Sequence, residues 1–157
     1  MVSEKYRSRT KVRGRRSTRP FISIPHDALE HPSFAALSAH AVKLLLDVAK
    51  QYRGANNGDL TAIFTVLQRE RHWKSRETLH KALGEVLQAG FLMRTRKGKR
   101  IGGTHCPSLY AITWWAIDAS DKHEYATPAP PRTWQQRNPA TPGVLGSPSQ
   151  VRPAVLG

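Results

Sequence analysis

The stretch SRETLHKALGEVLQAGFLMRTRKG (75–98) decides how this chain folds. Ser75 is a good helix N-cap, because its hydroxyl can take one of the N–H groups that a first turn leaves unpaired. From residue 76 to 89 the apolar residues Leu79, Ala82, Leu83, Val86 and Leu87 fall within one arc of about 140°, the stripe of a helix that buries one face. Gly90 then ends the pattern, since glycine takes a left-handed terminal conformation without a Cβ penalty. FLMRT (91–95) follows and reads as a strand. The spacing predicts a helix over 76–89 with a strand directly behind it.

Upstream, Phe21, Ile22 and Ile24 form a short extended lead-in to Pro25, and Pro32 fits the first turn of a short helix. Ser38 is expected to cap a helix closed by Arg53-Gly54, with Leu37, Ala41, Leu44, Leu45, Val48 and Tyr52 at 3.6-residue spacing. GANNG (54–58) is a turn and Asp59-Leu60 a brief strand at best. Thr61 is expected to cap a second helix running through Arg71, with Ile63, Phe64 and Leu67 inside. His72-Trp73-Lys74 breaks the pattern, and we read Trp73 as a core plug beneath that break. Downstream, SLYAITWW (108–115) is a second strand, in which Trp114 and Trp115 would point to opposite faces. Between the strands lies RKGKRIGGTHCP, basic and glycine-rich, a hairpin with a loose tip. Three helices followed by a two-stranded hairpin is the order of a winged helix-turn-helix, an α+β fold with a three-helix core and a β-hairpin wing.

The two ends differ from this middle. Residues 1–20 place a basic side chain at nearly every second position, Arg13, Arg15, Arg16 and Arg19 among them, with almost nothing apolar between. Such a segment cannot offset its ordering entropy and reads as a disordered basic arm. Residues 119–157 are proline-rich and aperiodic, with seven prolines from 126 onward, and read as a flexible tail. The folded domain is then 21–118.

Composition narrows the partners. The 157 residues carry 25 Lys and Arg against 11 Asp and Glu, a net charge of +14. Residues 1–19 hold 8 basic groups and 1 acidic, residues 20–117 hold 13 and 7, and the remainder 4 and 3. That imbalance points to a polyanion, nucleic acid before membrane. No apolar run approaches a membrane span, and no apolar segment follows the basic N-terminus to make a secretory signal. The lone Cys106 cannot build a disulfide framework and fits a reducing cytoplasm. His26, His31 and His40 have no metal-ligand spacing, so neither metal nor cofactor is expected. With no nucleophile–base motif, phosphate loop or paired carboxylates, the chain reads as a non-enzyme.

A helix that enters a DNA major groove needs one buried and one polar face, with base contacts near its N-terminus. Helix 76–89 meets that requirement: Arg76, Thr78, His80 and Lys81 would read bases, while Lys74 and Ser75 hold phosphate at its start. Arg94, Arg96, Lys97, Lys99 and Arg100 meet no acid in the hairpin and would contact phosphate or the minor groove.

The segment 75–98 resembles the recognition helix and wing of winged-helix bacterial regulators, the GntR type especially, in its Ser-Arg-x-Thr, its Ala-Leu pair and its glycine before apolar strand residues. That resemblance implies DNA contact by Arg76, Thr78 and Gly98. His80 stands where the family usually has Arg, so that contact is either lost or pH-sensitive. Residues 21–118 also resemble small helix-turn-helix proteins of proteobacterial mobile elements. His72-Trp73-Lys74 replaces the usual glycine-containing turn, and no effector domain follows. The expectation is a sequence-specific double-stranded DNA-binding protein, a transcriptional regulator of a mobile element or plasmid, with a second copy as partner because one module has a short footprint. The alternatives are a plasmid or phage replication protein and an RNA-binding or protein-docking module.

Overall fold

A computed structural model describes residues 20–137. The basic arm with Arg13, Arg15, Arg16 and Arg19, and residues 138–157, lie outside the described residues. The described chain is α+β: α1 (His26–Glu30), α2 (Pro32–Ala35), α3 (Ala39–Ala49), α4 (Phe64–Arg71) and α5 (Arg76–Ala89) precede β1 (Leu92–Arg96), β2 (Lys99–Ile101), β3 (Thr104–Cys106) and β4 (Leu109–Ile112). A 3-10 turn, Thr133–Gln136, closes the described segment.

Local chemistry accounts for several helix ends. Pro32 opens α2, and His31 Nδ1 accepts the Ser33 N–H at 3.2 Å. Ser38 Oγ accepts from the Ala41 N–H, and Ser75 Oγ from the Thr78 N–H, each at 3.2 Å. Gly90 ends α5 with φ 86°. The second helix differs from the expectation. Thr61 does not cap it; α4 starts at Phe64 behind Ile63, with no side-chain cap. The Gln51 amide explains the delay, because it accepts the Thr61 N–H at 3.0 Å and donates to the Thr61 carbonyl at 2.8 Å. The chain is thereby held extended past Thr61. α3 is also shorter than the Arg53-Gly54 stop implied, ending at Ala49.

The core forms where the apolar stripes of α3 and α5 meet. Ala41, Leu44, Leu45 and Val48 from one helix and Leu79, Ala82, Leu83 and Val86 from the other are buried together with Phe91, Leu92, Tyr110 and Ile112. β1 and β4 pair antiparallel, with Leu92 opposite Ile112 and Arg94 opposite Tyr110. Leu60 bridges Tyr110 on the other edge of β4, so the brief upstream strand is present as a single antiparallel bridge. The register shifts between Arg94 and Arg96. In that bulge Thr95 is buried and donates its hydroxyl to the Gly58 carbonyl at 2.5 Å.

The hairpin tip is not loose. β2 and β3 form their own two-stranded ribbon, pairing Lys99 with Cys106, Arg100 with His105 and Ile101 with Thr104. Nor does the second strand reach Trp115, for β4 stops at Ile112. Asn57, fully buried, stops it: its Nδ2 donates to the carbonyls of Ile112 and Ala116, and its Oδ1 accepts the Ile112 N–H. The chain therefore curls round one side chain. Trp114 enters the core and Trp115 stacks on Tyr52 at 4.3 Å.

The reading of 119–157 as a flexible tail fails for residues 119–137. Thr127 bridges Ile117, the Arg132 N–H donates to the Thr113 carbonyl at 2.8 Å, and Thr133 Oγ1 donates to the Gly90 carbonyl at 2.6 Å. Trp134 is 1% exposed and stacks on Phe91 at 5.6 Å. Proline richness hid this because the segment docks through one aromatic and backbone contacts, which leave no period. Trp134→Ala should cost about 3–5 kcal/mol, the usual range for emptying a buried aromatic site; chemical denaturation of wild type and variant measures it. A chain ended at Asp118 should lose stability in the same direction.

Trp73 is the core plug that the sequence implied, 4% exposed, and its partner is a carboxylate. Asp47 on α3 is 3% exposed and accepts from Arg71 Nε at 2.6 Å, Lys43 Nζ at 2.7 Å and Trp73 Nε1 at 2.8 Å. Lys43 also donates to the Arg71 carbonyl at 2.9 Å. Burial pushes the Asp47 carboxyl up, but the hydrogen bonds from Lys43, Trp73 and Arg71 outweigh it and hold the group below the usual carboxylate range. A depressed folded value means stability that is present above the unfolded aspartate pKa, about 4, and lost as pH falls through the folded one. Asp47→Asn should therefore cost about 2–4 kcal/mol near neutrality. The gap to wild type should narrow below about pH 4, as unfolding curves across that range will report.

Candidate nucleic-acid interface

The site is built on α5, whose two faces do different work. Its inner face is committed to the core, and Glu85 accepts the Ser38 N–H at 3.1 Å, tying α5 to the start of α3. Its outer face carries Glu77, His80, Lys81, Gly84 and Gln88, all exposed. Arg76 is exposed as well, but its guanidinium lies 4.8 Å over the Phe64 ring, drawn toward α4. Lys81 therefore holds the middle of the outer face, while Arg76 approaches from its flank.

Gly84 is the residue that the sequence reading missed. It sits inside a 14-residue helix, and a Cβ added there would meet nothing within 4 Å. Glycine costs about 1 kcal/mol relative to alanine in a helix interior. No contact within the described chain accounts for its presence. The signal was available, since a glycine between Leu83 and Glu85 on the polar side of an amphipathic helix is out of place.

The N-terminal end of α5 opens onto a cleft of about 290 Å³ lined by His40, Lys43, His72, Trp73, Lys74, Ser75 and Thr78. Lys43 is tied to Asp47 and lies 4.7 Å over the Trp73 ring, while Lys74 is exposed. Ser75 and Thr78 are half-buried, and the Ser75 hydroxyl caps the Thr78 N–H. His72 sits at the end of α4 with φ 59°, a left-handed position that the expected glycine would take more easily. His40 and His72 were not among the sequence candidates for binding; His72 adjoins Lys74 and Ser75 in the chain, whereas only folding brings His40 to this cleft.

The hairpin candidates divide. Lys97, Lys99 and Arg100 are exposed, and Arg94 is exposed with its guanidinium 5.9 Å from the Tyr110 ring centre. Arg96 is half-buried and donates to the Pro107 carbonyl at 3.0 Å, which engages it in holding the hairpin. Gly98 gives its N–H to Ser108 Oγ at 2.8 Å, and a Cβ there would come within 3.2 Å of the Cys106 carbonyl. The glycine that the family resemblance marked for DNA contact thus has a structural task at the root of the ribbon.

Charge pairing separates the same groups. Among the described residues, ion pairs engage Lys43, Arg69, Arg71, Lys122 and Arg132. Lys74, Arg76, Lys81, Arg94, Lys97, Lys99 and Arg100 enter none of them, nor do Lys50, Arg53, Arg96 and Arg137 elsewhere, and no carboxylate lies between Glu85 and Asp118 in the sequence. No helix among the described residues is long and apolar enough to cross a membrane. Comparison with known proteins finds no family model, curated protein or solved structure that matches this chain.

Proposed function

We propose that this chain is a sequence-specific double-stranded DNA-binding protein of the winged helix-turn-helix kind, with α5 as the reading helix and the hairpin as its wing. The observation that carries the reading is the outer face of α5. A capped helix fixed by its inner side presents Lys81 and His80 outward, flanked by Arg76, beside a glycine that no neighbour within the described chain explains. A helix seated in a major groove needs close approach of its backbone, and a bare Cα at Gly84 permits it. Lys81 and Arg76 supply donors for guanine O6 and N7, and Glu77 is an acceptor suited to cytosine N4. Lys74 and the unpaired cations of the ribbon neutralise phosphates on either side. The likeness of 75–98 to GntR-type regulators supports a role in transcription, and that of 21–118 to mobile-element proteins supports a regulator encoded by such an element. A two-fold operator would bring a second copy of the chain.

Selection from random duplex DNA at two salt concentrations, with RNA as competitor, tests the reading directly. An enriched duplex motif that persists at the higher salt is expected. Binding with no enriched motif, or RNA displacing duplex, would refute it. Against the selected duplex, Arg76→Ala and Lys81→Ala should each lose roughly 1–3 kcal/mol and relax preference at one base position. Lys97→Ala should weaken all sequences alike and reduce the salt slope by about one.

Gly84→Ala gives a test with opposite signs. The alanine should raise folding stability by about 0.5–1 kcal/mol. It should also weaken DNA binding, because a methyl group then stands between helix and groove. Thermal unfolding and fluorescence anisotropy on the same preparation report both. A stabilised variant that binds as tightly as wild type would show that the outer face of α5 is not the contact surface.

A further inference from the structure

The ribbon ends in Arg100-Ile101-Gly102-Gly103-Thr104, and Gly102 and Gly103 have φ 54° and 83°. Positive φ at both central residues marks a two-residue turn whose twist matches that of the flanking strands. The end of the ribbon is therefore narrow and free of side chains, and a Cβ at either glycine would meet nothing within 4 Å. Immediately behind it stands Ile101, 54% exposed, with Thr104 as its partner across the ribbon. A single exposed apolar side chain is ordinary on a protein surface. The surroundings of this one are not. Lys97, Lys99, Arg100 and His105 are exposed in the same hairpin, and no acidic residue lies anywhere between 86 and 117.

Three kinds of surface can cover an apolar tip: a protein groove, a lipid surface or a nucleic-acid groove. Uncompensated cations on both sides favour a polyanion, and a slender ribbon with a bare glycine turn matches a narrow slot better than a flat surface. Apolar wedges of this size enter DNA from the minor groove, partly unstack a base step and kink the duplex toward the major groove. We propose that the β2–β3 ribbon enters the minor groove and that Ile101 wedges into a base step there, bending the DNA, while Lys99 and Arg100 hold the flanking phosphates. This rests on the DNA-binding reading and adds to it a bend and the residue that makes it. Pyrimidine–purine steps unstack most easily, so the bend should centre on a TA or CA step.

The experiment uses the full chain and a 30-bp duplex that carries the selected motif flanked by TA steps, with a dye on each end. Anisotropy measures binding, energy transfer between the dyes measures bending, and permanganate reactivity of thymines reports unstacking wherever it occurs. Wild type is expected to bind, raise energy transfer and expose one or more thymines. Ile101→Ala, at an exposed position, should keep the wild-type circular dichroism spectrum and lose both bending and thymine exposure. Its affinity should fall by about fivefold. Lys99→Ala should weaken binding but leave the bend of the bound duplex intact. A wild-type chain that binds without bending overturns the wedge while leaving the DNA-binding reading standing. So does an Ile101→Ala variant that bends DNA as wild type does, or one that only turns a sedimenting dimer into a monomer. A wild-type chain that gives no anisotropy change overturns both.

Discussion

The Asp47 carboxylate is the constraint on which the rest depends. It joins α3 through its own backbone, the end of α4 through Arg71, and the connecting turn through Trp73. Those three pieces decide where α5 begins and how it lies across α3. A buried carboxylate with three donors is directional in a way that apolar packing is not, because each oxygen must be met at hydrogen-bond distance or the desolvation goes uncompensated. The left-handed His72 and the plug Trp73 follow from this. The chain must turn sharply after Arg71 so that the indole N–H reaches Asp47, and a residue at φ 59° makes that turn.

A second anchor works at the opposite end of α5. Gly90 is required twice over, for its left-handed φ and because the backbone of Thr133 and Trp134 comes within 2.7–2.9 Å of where a Cβ would stand. Its carbonyl accepts two hydroxyls, from Thr113 and Thr133, at 2.6 Å each. The helix is thus pinned at its start by a charged network and at its end by a docked C-terminal strap. A helix held rigidly at both ends loses little conformational freedom when a partner binds it.

Between these anchors the charge distribution divides the molecule's labour. Lys43 and Arg71 are engaged by the buried Asp47, and the exposed Lys122 and Arg132 by Asp59 and Asp27. The cations on α5 and the ribbon pair with no carboxylate among the described residues and stay exposed at some cost in mutual repulsion. Such an arrangement suits a protein whose unpaired cations meet their counter-charges on a polyanion.

The limits of α5 were legible in the residues themselves: Ser75 and Gly90 each act on backbone groups within about a turn of their own positions, the apolar arc runs between them, and such local interactions leave a period and a stop signal. The caps Ser38 and Pro32, the strand at Leu92 and the burial of Trp73 were readable for the same reason. Contacts between distant residues leave no such trace. Asp47 finds Arg71 and Trp73 at separations of 24 and 26 residues, and Thr133 finds Gly90 at 43. A lone aspartate in an amphipathic helix looks like a solvated charge until its donors arrive, and a tryptophan in a proline-rich segment looks like part of a tail until Phe91 is beside it. Gly98 and Arg96, which seemed free by composition, are engaged by Ser108 and Pro107. Sequence alone therefore determined α5, the cap of α3, the two main strands in outline and where the surplus charge lies, while α1, the start of α4, the β2–β3 ribbon and the docked segment 119–137 came only with the tertiary structure. Only the tertiary structure decided which of those charges stay unpaired, because pairing depends on partners brought together by folding rather than by adjacency.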